Sequence, residues 1–259
     1  MTAILGNFVV GVAATFIPLF IGLFIPVLAN GDSPLRPRLL AAFSSGVMFW
    51  FFLDVMNDAV LLDVNQGFTG GFRQALLAGL FAASLLLLFG LERISNATAH
   101  EPQHRSNTTA ANFSFTVAVL VALGIGFHAF GEGIGIGSLT SLTSNMIEAT
   151  GGLGPGVAYT LHKLLEGFVI GTFAAVTKLK AFRVLVLGLV SGLPTILGLL
   201  LAISMPLNST FFFALGGAAT VYVEYKLIPN FAGRENMLLY VVASLLGFYS
   251  MYLAGLFHG

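Results

Sequence analysis

The feature that most constrains this chain is a series of apolar runs, each about 20 residues long, which recurs from one end to the other. A helix needs about 20 consecutive apolar residues to cross the hydrocarbon core of a bilayer. Charged residues make up only 8% of the 259 residues, whereas a soluble domain carries about 25%. The chain therefore lacks the polar side chains that would cover a water-soluble fold. We expect an all-α membrane protein with one transmembrane domain over residues 1–259.

Eight such runs can be distinguished, separated by turn-forming or charged residues. The first run is longer than the apolar segment of a secretory signal and lacks a basic leader, so we expect it to be retained as a span. An even number of spans would place both termini on the same side of the membrane. The expected spans cover residues 4–29, 38–62, 72–93, 113–137, 153–177, 181–204, 209–228 and 236–257.

The distribution of lysine and arginine orients these spans. Of the eleven basic residues, Lys163 lies within the fifth span, Arg73 lies beside an even-numbered connection, and nine lie in or beside odd-numbered connections. Because basic connections stay on the cytoplasmic side, we expect a multi-pass protein of the cell membrane with both termini extracellular. The nine residues are Arg36, Arg38, Arg93, Arg105, Lys178, Lys180, Arg183, Lys226 and Arg234.

The third connection, residues 94–112, is the longest and is rich in asparagine and threonine. This composition predicts a flexible cytoplasmic loop. His100 and His104 lie four residues apart within it and could hold a metal ion weakly. The alternative is a solvated loop with two incidental histidines.

One motif occurs twice, in the fourth and fifth spans. His128-x-x-x-Glu132-Gly in one span matches His162-x-x-x-Glu166-Gly in the other, and both continue to Ile-Gly at the same spacing. Residues four apart share one face of a helix, so each span offers an imidazole and a carboxylate together. Consecutive spans run antiparallel, which makes the copies an inverted pair of the kind that forms midplane sites in transporters. The four residues are a suitable ligand set for a divalent transition metal.

These polar residues could instead be packed side chains that satisfy one another through hydrogen bonds. A charged side chain at the bilayer centre costs about 2.5–3.5 kcal/mol on the insertion scale that gives the lowest values. Glu132, Glu166 and Lys163 would together cost on the order of 8–10 kcal/mol if they were unpaired. A bound cation or mutual pairing would offset this cost, and we favour the bound cation.

The paired motif, together with three shorter segments, resembles the Zrt/Irt-like (ZIP) family of metal transporters. The segments are similar to family patterns: Gly-Val-Met…Phe-Leu-Asp at 46–54, Ser-Gly…Pro at 191–194 and Tyr-Val…Leu-Ile-Pro at 222–229. The resemblance implies eight spans with both termini outside, in a 3+2+3 arrangement in which spans 1–3 and 6–8 are related. It also implies uptake of zinc, iron or manganese through spans 4 and 5.

Many members of that family have two adjacent metal positions, and the four motif residues match the first. The chain departs from the pattern where Ala129 replaces an asparagine and where Lys163 stands at a position that often binds metal. We hypothesise that the second metal position is lost and that the Lys163 ammonium replaces it, since adjacent carboxylates repel unless a positive charge lies beside them. The alternative is that Lys163 faces elsewhere and pairs with Glu224 or reaches the membrane surface.

Three acidic residues within the apolar spans are candidates for the ion path or for charge partners. Asp54 lies well inside the second span, and the resemblance implies a place near the outer approach to the site. Asp58 follows one turn later, nearer the extracellular end. Glu224 lies near the cytoplasmic end of the seventh span, where it could also be an interfacial charge.

These observations predict transport of divalent transition-metal ions toward the cytoplasm, zinc first and iron or manganese next, and not an enzyme. An intramembrane zinc-dependent hydrolase is the alternative, although it would need one asymmetric base to activate water, whereas this motif repeats almost unchanged. A third interpretation is a metal-stabilised scaffold without flux. Net charge is zero, so nucleic acid is not expected as a partner. The expected partners are the metal ion and the lipid bilayer, and a homodimer stays open.

Overall fold

The computed structural model describes Val9 and residues 12–31, 33–58, 71–98, 114–140, 152–205, 207, 209–233 and 235–256. These residues form eight long α-helices. A π-helical turn, Val12–Phe16, leads into the first helix, and a 3-10 turn, Ile228–Asn230, follows the seventh. The helices are α1 (Ile17–Ala29), α2 (Leu35–Asp58), α3 (Phe72–Thr98), α4 (Phe115–Thr140), α5 (Leu153–Val176), α6 (Ala181–Ser204), α7 (Thr210–Leu227) and α8 (Met237–Leu256).

Seven of these helices are long and apolar enough to cross a membrane. The exception is α5, which has 24 residues but carries the polar residues His162, Lys163 and Glu166, which lower its mean hydropathy. The expected all-α membrane protein is therefore confirmed. The helix that least resembles a membrane span by composition is one of the two that carry the repeated motif.

The third helix ends later than the sequence predicts, because α3 continues through Thr98. The expectation of a loop from residue 94 is therefore wrong for residues 94–98, and residues 99–113 lie outside the described part of the chain. Two contacts hold this end of α3. Lys226 Nζ on α7 donates a 2.6 Å hydrogen bond to Glu92 Oε1, and the hydroxyls of Ser95 and Thr116 lie 3.1 Å apart. Tertiary contacts thus extend the helix beyond its apolar run.

The helix contacts are arranged symmetrically about α4 and α5. Helix α1 packs along α5 as α6 packs along α4, and α2 contacts α8 as α7 contacts α3. If α1, α2 and α3 are exchanged with α6, α7 and α8, and α4 with α5, the α1–α5 contact becomes the α6–α4 contact. The α2–α8 contact becomes the α7–α3 contact in the same way. An inverted repeat of three plus two plus three spans predicts this pattern. Helices α4 and α5 are the two elements on which the halves meet.

The glycine after each motif glutamate lets an outer helix pack closely. Gly133 on α4 lies against the carbonyl oxygen of Thr195 on α6, and Gly167 on α5 lies against the carbonyl oxygen of Leu19 on α1. A Cβ atom at either position would overlap that backbone oxygen. Small residues allow such close helix approach in membranes. Each glutamate therefore lies on a helix that packs closely against an outer helix, α6 for Glu132 and α1 for Glu166.

Helices α2, α4, α5 and α7 form a closed ring, in which each contacts two of the others in turn. Apolar side chains from all four helices pack inside this ring, among them Phe51, Ile125, Ile170 and Val223. The repeated motif faces the same interior, because His128 and the other motif side chains are buried there.

Candidate metal centre

The structure brings the four motif side chains to one point inside the ring. Helix α4 contributes His128 and Glu132 from successive turns. Helix α5 contributes His162 and Glu166 in the same way. One ligand atom from each residue lies within 4.8 Å of all the others. All four side chains are buried, and Glu132 is the most exposed at 8%.

The spacing between these atoms suits one small cation. Nε2 of His128 lies 3.2 Å from Oε1 of Glu132 and 3.8 Å from Oε1 of Glu166. Nε2 of His162 lies 3.5 Å from Oε1 of Glu132 and 3.1 Å from Oε1 of Glu166. Ligand atoms about 2.0–2.1 Å from a tetrahedral zinc ion are about 3.3 Å apart. The two nitrogens and two oxygens therefore fit a set of two imidazole and two monodentate carboxylate ligands.

Lys163 binds the opposite edge of both carboxylates. Its Nζ contacts Oε2 of Glu132 and lies 2.7 Å from Oε2 of Glu166. The side chain is fully buried at 0% exposure, so it lies on this carboxylate pair and not on Glu224 or at the membrane surface. Each glutamate thus turns Oε1 toward the histidines and Oε2 toward the lysine.

Two of the ligand atoms lack other partners. Nε2 of His128 and Oε1 of Glu132 are buried and lie 3.2 Å from each other, but neither forms a hydrogen bond with the described residues. A buried polar group left in this state costs about 1–3 kcal/mol. A divalent cation held between the two helices would satisfy both atoms, so the residues present fit a metal ion.

Aromatic residues that sequence reasoning missed enclose the ligands. The Phe51 ring on α2 lies 4.4 Å from the ring of His128 and 5.6 Å from that of His162, measured between centroids. Tyr159 on α5 donates a 3.5 Å hydrogen bond from its hydroxyl to Oε2 of Glu132. Tyr159 lies three residues before His162, and this helical spacing could have placed it on the same face as His162 from the sequence alone. Phe51 offered no such signal, since a phenylalanine in a span is indistinguishable from a core residue.

The remaining predicted residues lie outside this cluster or outside the described part of the chain. Asp54 is half-buried on α2, about one turn beyond Phe51. Glu224 on α7 accepts a 2.7 Å hydrogen bond from the hydroxyl of Ser45. The side chain of Asp58 and both loop histidines, His100 and His104, fall outside the described residues, so their roles stay predictions.

Comparison with models of known protein families and with curated proteins found no match to this chain. The family resemblance of the motifs therefore stays a prediction. The case for metal handling depends on the residues themselves and on the geometry with which the helices bring them together.

Proposed function

We propose that this protein is a ZIP-like transporter that carries divalent transition-metal ions across the membrane through the His128, Glu132, His162 and Glu166 site. The observation that supports this most is the convergence of two antiparallel copies of one motif on a buried point. Transporters built from inverted repeats place their sites near the midplane, where two halves of the molecule meet. A site divided between two helices can open when these helices move relative to each other.

The ligand set favours zinc over the harder divalent ions. Two imidazole nitrogens and two carboxylate oxygens suit zinc, with iron and manganese as further candidates. Calcium takes six to eight oxygen ligands, and magnesium requires an octahedral set of oxygens with several waters. Neither requirement is met by a nitrogen-containing cluster whose outer carboxylate oxygens already bind Lys163.

Lys163 supports a single bound ion. Both Oε2 atoms that could bridge to a neighbouring metal are occupied by its ammonium. A second divalent ion placed there would displace a buried positive charge or lie beside it. We therefore expect one tight zinc ion per chain in a titration of the purified protein. Two tight intramembrane zinc ions would contradict this part of the proposal.

Transport explains the site better than hydrolysis does. A catalytic zinc ion has three protein ligands and keeps the fourth position open for water. Here four protein atoms surround one point, so the set leaves no open position for a water. A closed set of four ligands replaces the water shell of the ion, which suits a bound cargo ion and not a catalytic one. We propose that ions reach the site past Asp54 and leave toward the side of the basic connections, which we assign to the cytoplasm.

Uptake of radioactive zinc into proteoliposomes tests the proposal. The wild-type protein should give saturable uptake, and His162→Ala and Glu132→Ala should abolish it. Ser250→Ala is a matched control, because that hydroxyl donates to the carbonyl of Leu246 in its own helix, away from the site. Full uptake by both site variants would refute the site. A wild-type protein without uptake would favour the hydrolase if it cleaves membrane substrates, or the scaffold if zinc only raises its stability.

A further inference from the structure

A carboxylate that the central site does not use, that of Glu224, lies on α7 where this helix contacts α2. One oxygen of Glu224 accepts the hydrogen bond from Ser45 on α2. The other oxygen, Oε1, is buried and has no hydrogen-bond partner among the described residues. The ion pairs of the described residues do not include Glu224. An acidic side chain in this position is costly and marks an ion pathway by default.

Helix registers place Glu224 on the side of the odd-numbered connections, which we call the basic side. Gly216 on α7 lies against His128, and Glu224 follows eight residues later, about 12 Å toward the basic side at 1.5 Å per residue. On α2, Ser45 precedes Phe51, which contacts both histidines, by about 9 Å. The positions along α7 and along α2 thus independently place Glu224 and Ser45 about 9–12 Å from the central site, toward the basic side.

A second polar pair lies at the same level. The hydroxyls of Ser44 on α2 and Thr172 on α5 are buried and lie 2.8 Å apart. Thr172 follows Glu166 by about 9 Å along α5 in the same direction. Helices α2, α5 and α7 consequently contribute oxygen atoms to one layer, which we call the polar layer: Ser44, Ser45, Thr172 and Glu224.

Mainly apolar side chains separate the polar layer from the central site, and the buried hydroxyl of Thr220, at this level of α7, donates to the carbonyl of Gly217 in its own helix. Val47, Val169 and Ala219 lie between the two levels on α2, α5 and α7, and all three are buried. An ion leaving the His/Glu site toward the basic side would cross this apolar zone and then meet the Glu224 carboxylate. The polar layer supplies only oxygen ligands and a single charge, so it would hold the ion more weakly than the central site and release it readily.

We propose that Glu224, with Ser45, is a second and transient binding station for the divalent ion on its way to the basic side. This inference rests on the proposed transport function. The cation there is partly hydrated, because the layer offers fewer ligands than the central site. A purely structural Glu224 would only link α7 to α2 through its hydrogen bond, and its charge would then be dispensable.

Glu224→Gln tests the charge, since glutamine keeps an oxygen that accepts the Ser45 hydrogen bond. We expect zinc to titrate the central site of the purified variant normally, while initial zinc uptake into proteoliposomes falls about tenfold. Glu235→Gln is the matched control: it removes the same charge from an exposed residue beyond α7 and should leave uptake unchanged. Full zinc uptake by Glu224→Gln would contradict the proposal that Glu224 binds the ion in transit.

If Glu224→Gln yields no folded protein, Ser45→Ala decides the matter. This variant keeps the carboxylate, and we expect normal zinc binding with uptake lowered about threefold. Unchanged zinc uptake by Ser45→Ala would then contradict the proposed second binding site. A wild-type protein that shows no uptake would instead overturn the transport proposal itself, so the two failures are distinguishable.

Discussion

The α4 and α5 halves of the central site have the same ligands in different surroundings. On α4, His128 is preceded three residues earlier by Ile125 and followed by Ala129, both buried and apolar. At the corresponding positions on α5 the chain has Tyr159 and Lys163, which bind the carboxylates. The repeated motif thus supplies the ligands from both helices, whereas α5 alone supplies the cation and hydroxyl that orient them. Under the proposed function, the repeat would determine where the ion binds and α5 would determine how many ions bind.

Removing one histidine from either half should have the largest effect and should test their equivalence as ligands. His128→Ala and His162→Ala each remove one of four ligands, so we expect zinc affinity to fall at least about 100-fold in both. Isothermal titration of the purified variants measures this. A variant that keeps wild-type affinity would show that its half does not bind the metal.

Replacing Lys163 should have the next largest effect, in the opposite direction. Lys163→Met removes a positive charge that lies beside both carboxylates and repels zinc. We therefore expect zinc to bind at least about tenfold more tightly and to leave more slowly. The titration and the rate of zinc release measure these changes. Lys226→Met is the control, because that buried lysine pairs with Glu92 on α3 and not with the site.

Moving the lysine to the other half sharpens the comparison further. The double variant Ala129→Lys with Lys163→Ala places the cation on α4, and the symmetry predicts that the affinity returns toward the wild-type value. If Lys163→Met bound zinc with the wild-type affinity, the role assigned to this charge would be contradicted. The same holds if the double variant bound zinc with the affinity of Lys163→Met.

The two glycine contacts should be equivalent in the halves, and their loss should reduce stability moderately. Gly133→Val and Gly167→Val introduce a side chain against a neighbouring carbonyl oxygen, and we expect a loss of about 1–3 kcal/mol in the free energy of unfolding. Thermal unfolding in detergent measures it. Gly90→Val on α3 is the control, since a Cβ there meets no atom within 4 Å beyond the nearby backbone of its own helix. Equal stability of all three variants would show that the close packing does not matter.

The Tyr159 hydroxyl should have the smallest effect. Its hydrogen bond to Glu132 is long, at 3.5 Å, so Tyr159→Phe should change zinc affinity less than about tenfold. The same titration measures this change. A loss as large as that of the histidine variants would mean that the hydroxyl is itself a ligand.

The all-helical membrane fold and the four motif residues that converge in the structure could be predicted from the sequence, for different physical reasons. Apolar runs of bilayer length predict spans because the bilayer fixes the length of a helix that crosses it. The four-residue spacing from His128 to Glu132 predicts a shared face because helix geometry is local. Neither inference requires knowledge of how the helices pack.

The partners of the buried charges were not accessible, because they depend on packing. Lys163 lies beside His162 in sequence, yet its long side chain reaches Glu132 on another helix. Lys226 pairs with Glu92, which is 134 residues away, and this contact helps to carry α3 past its apolar run. In the same way, no local pattern connects Ser45 with Glu224, and only the packing of α2 on α7 brings them together.

X-ray absorption at the zinc edge of the zinc-loaded protein tests the central claim most directly. The single-ion site predicts four nitrogen and oxygen ligands at about 2.0–2.2 Å, two of them imidazoles, with no second zinc ion nearby. Loss of one imidazole in His162→Ala should appear in the same spectrum. A zinc–zinc scattering path at about 3.5–4 Å, or a spectrum without imidazole ligands, would contradict the account.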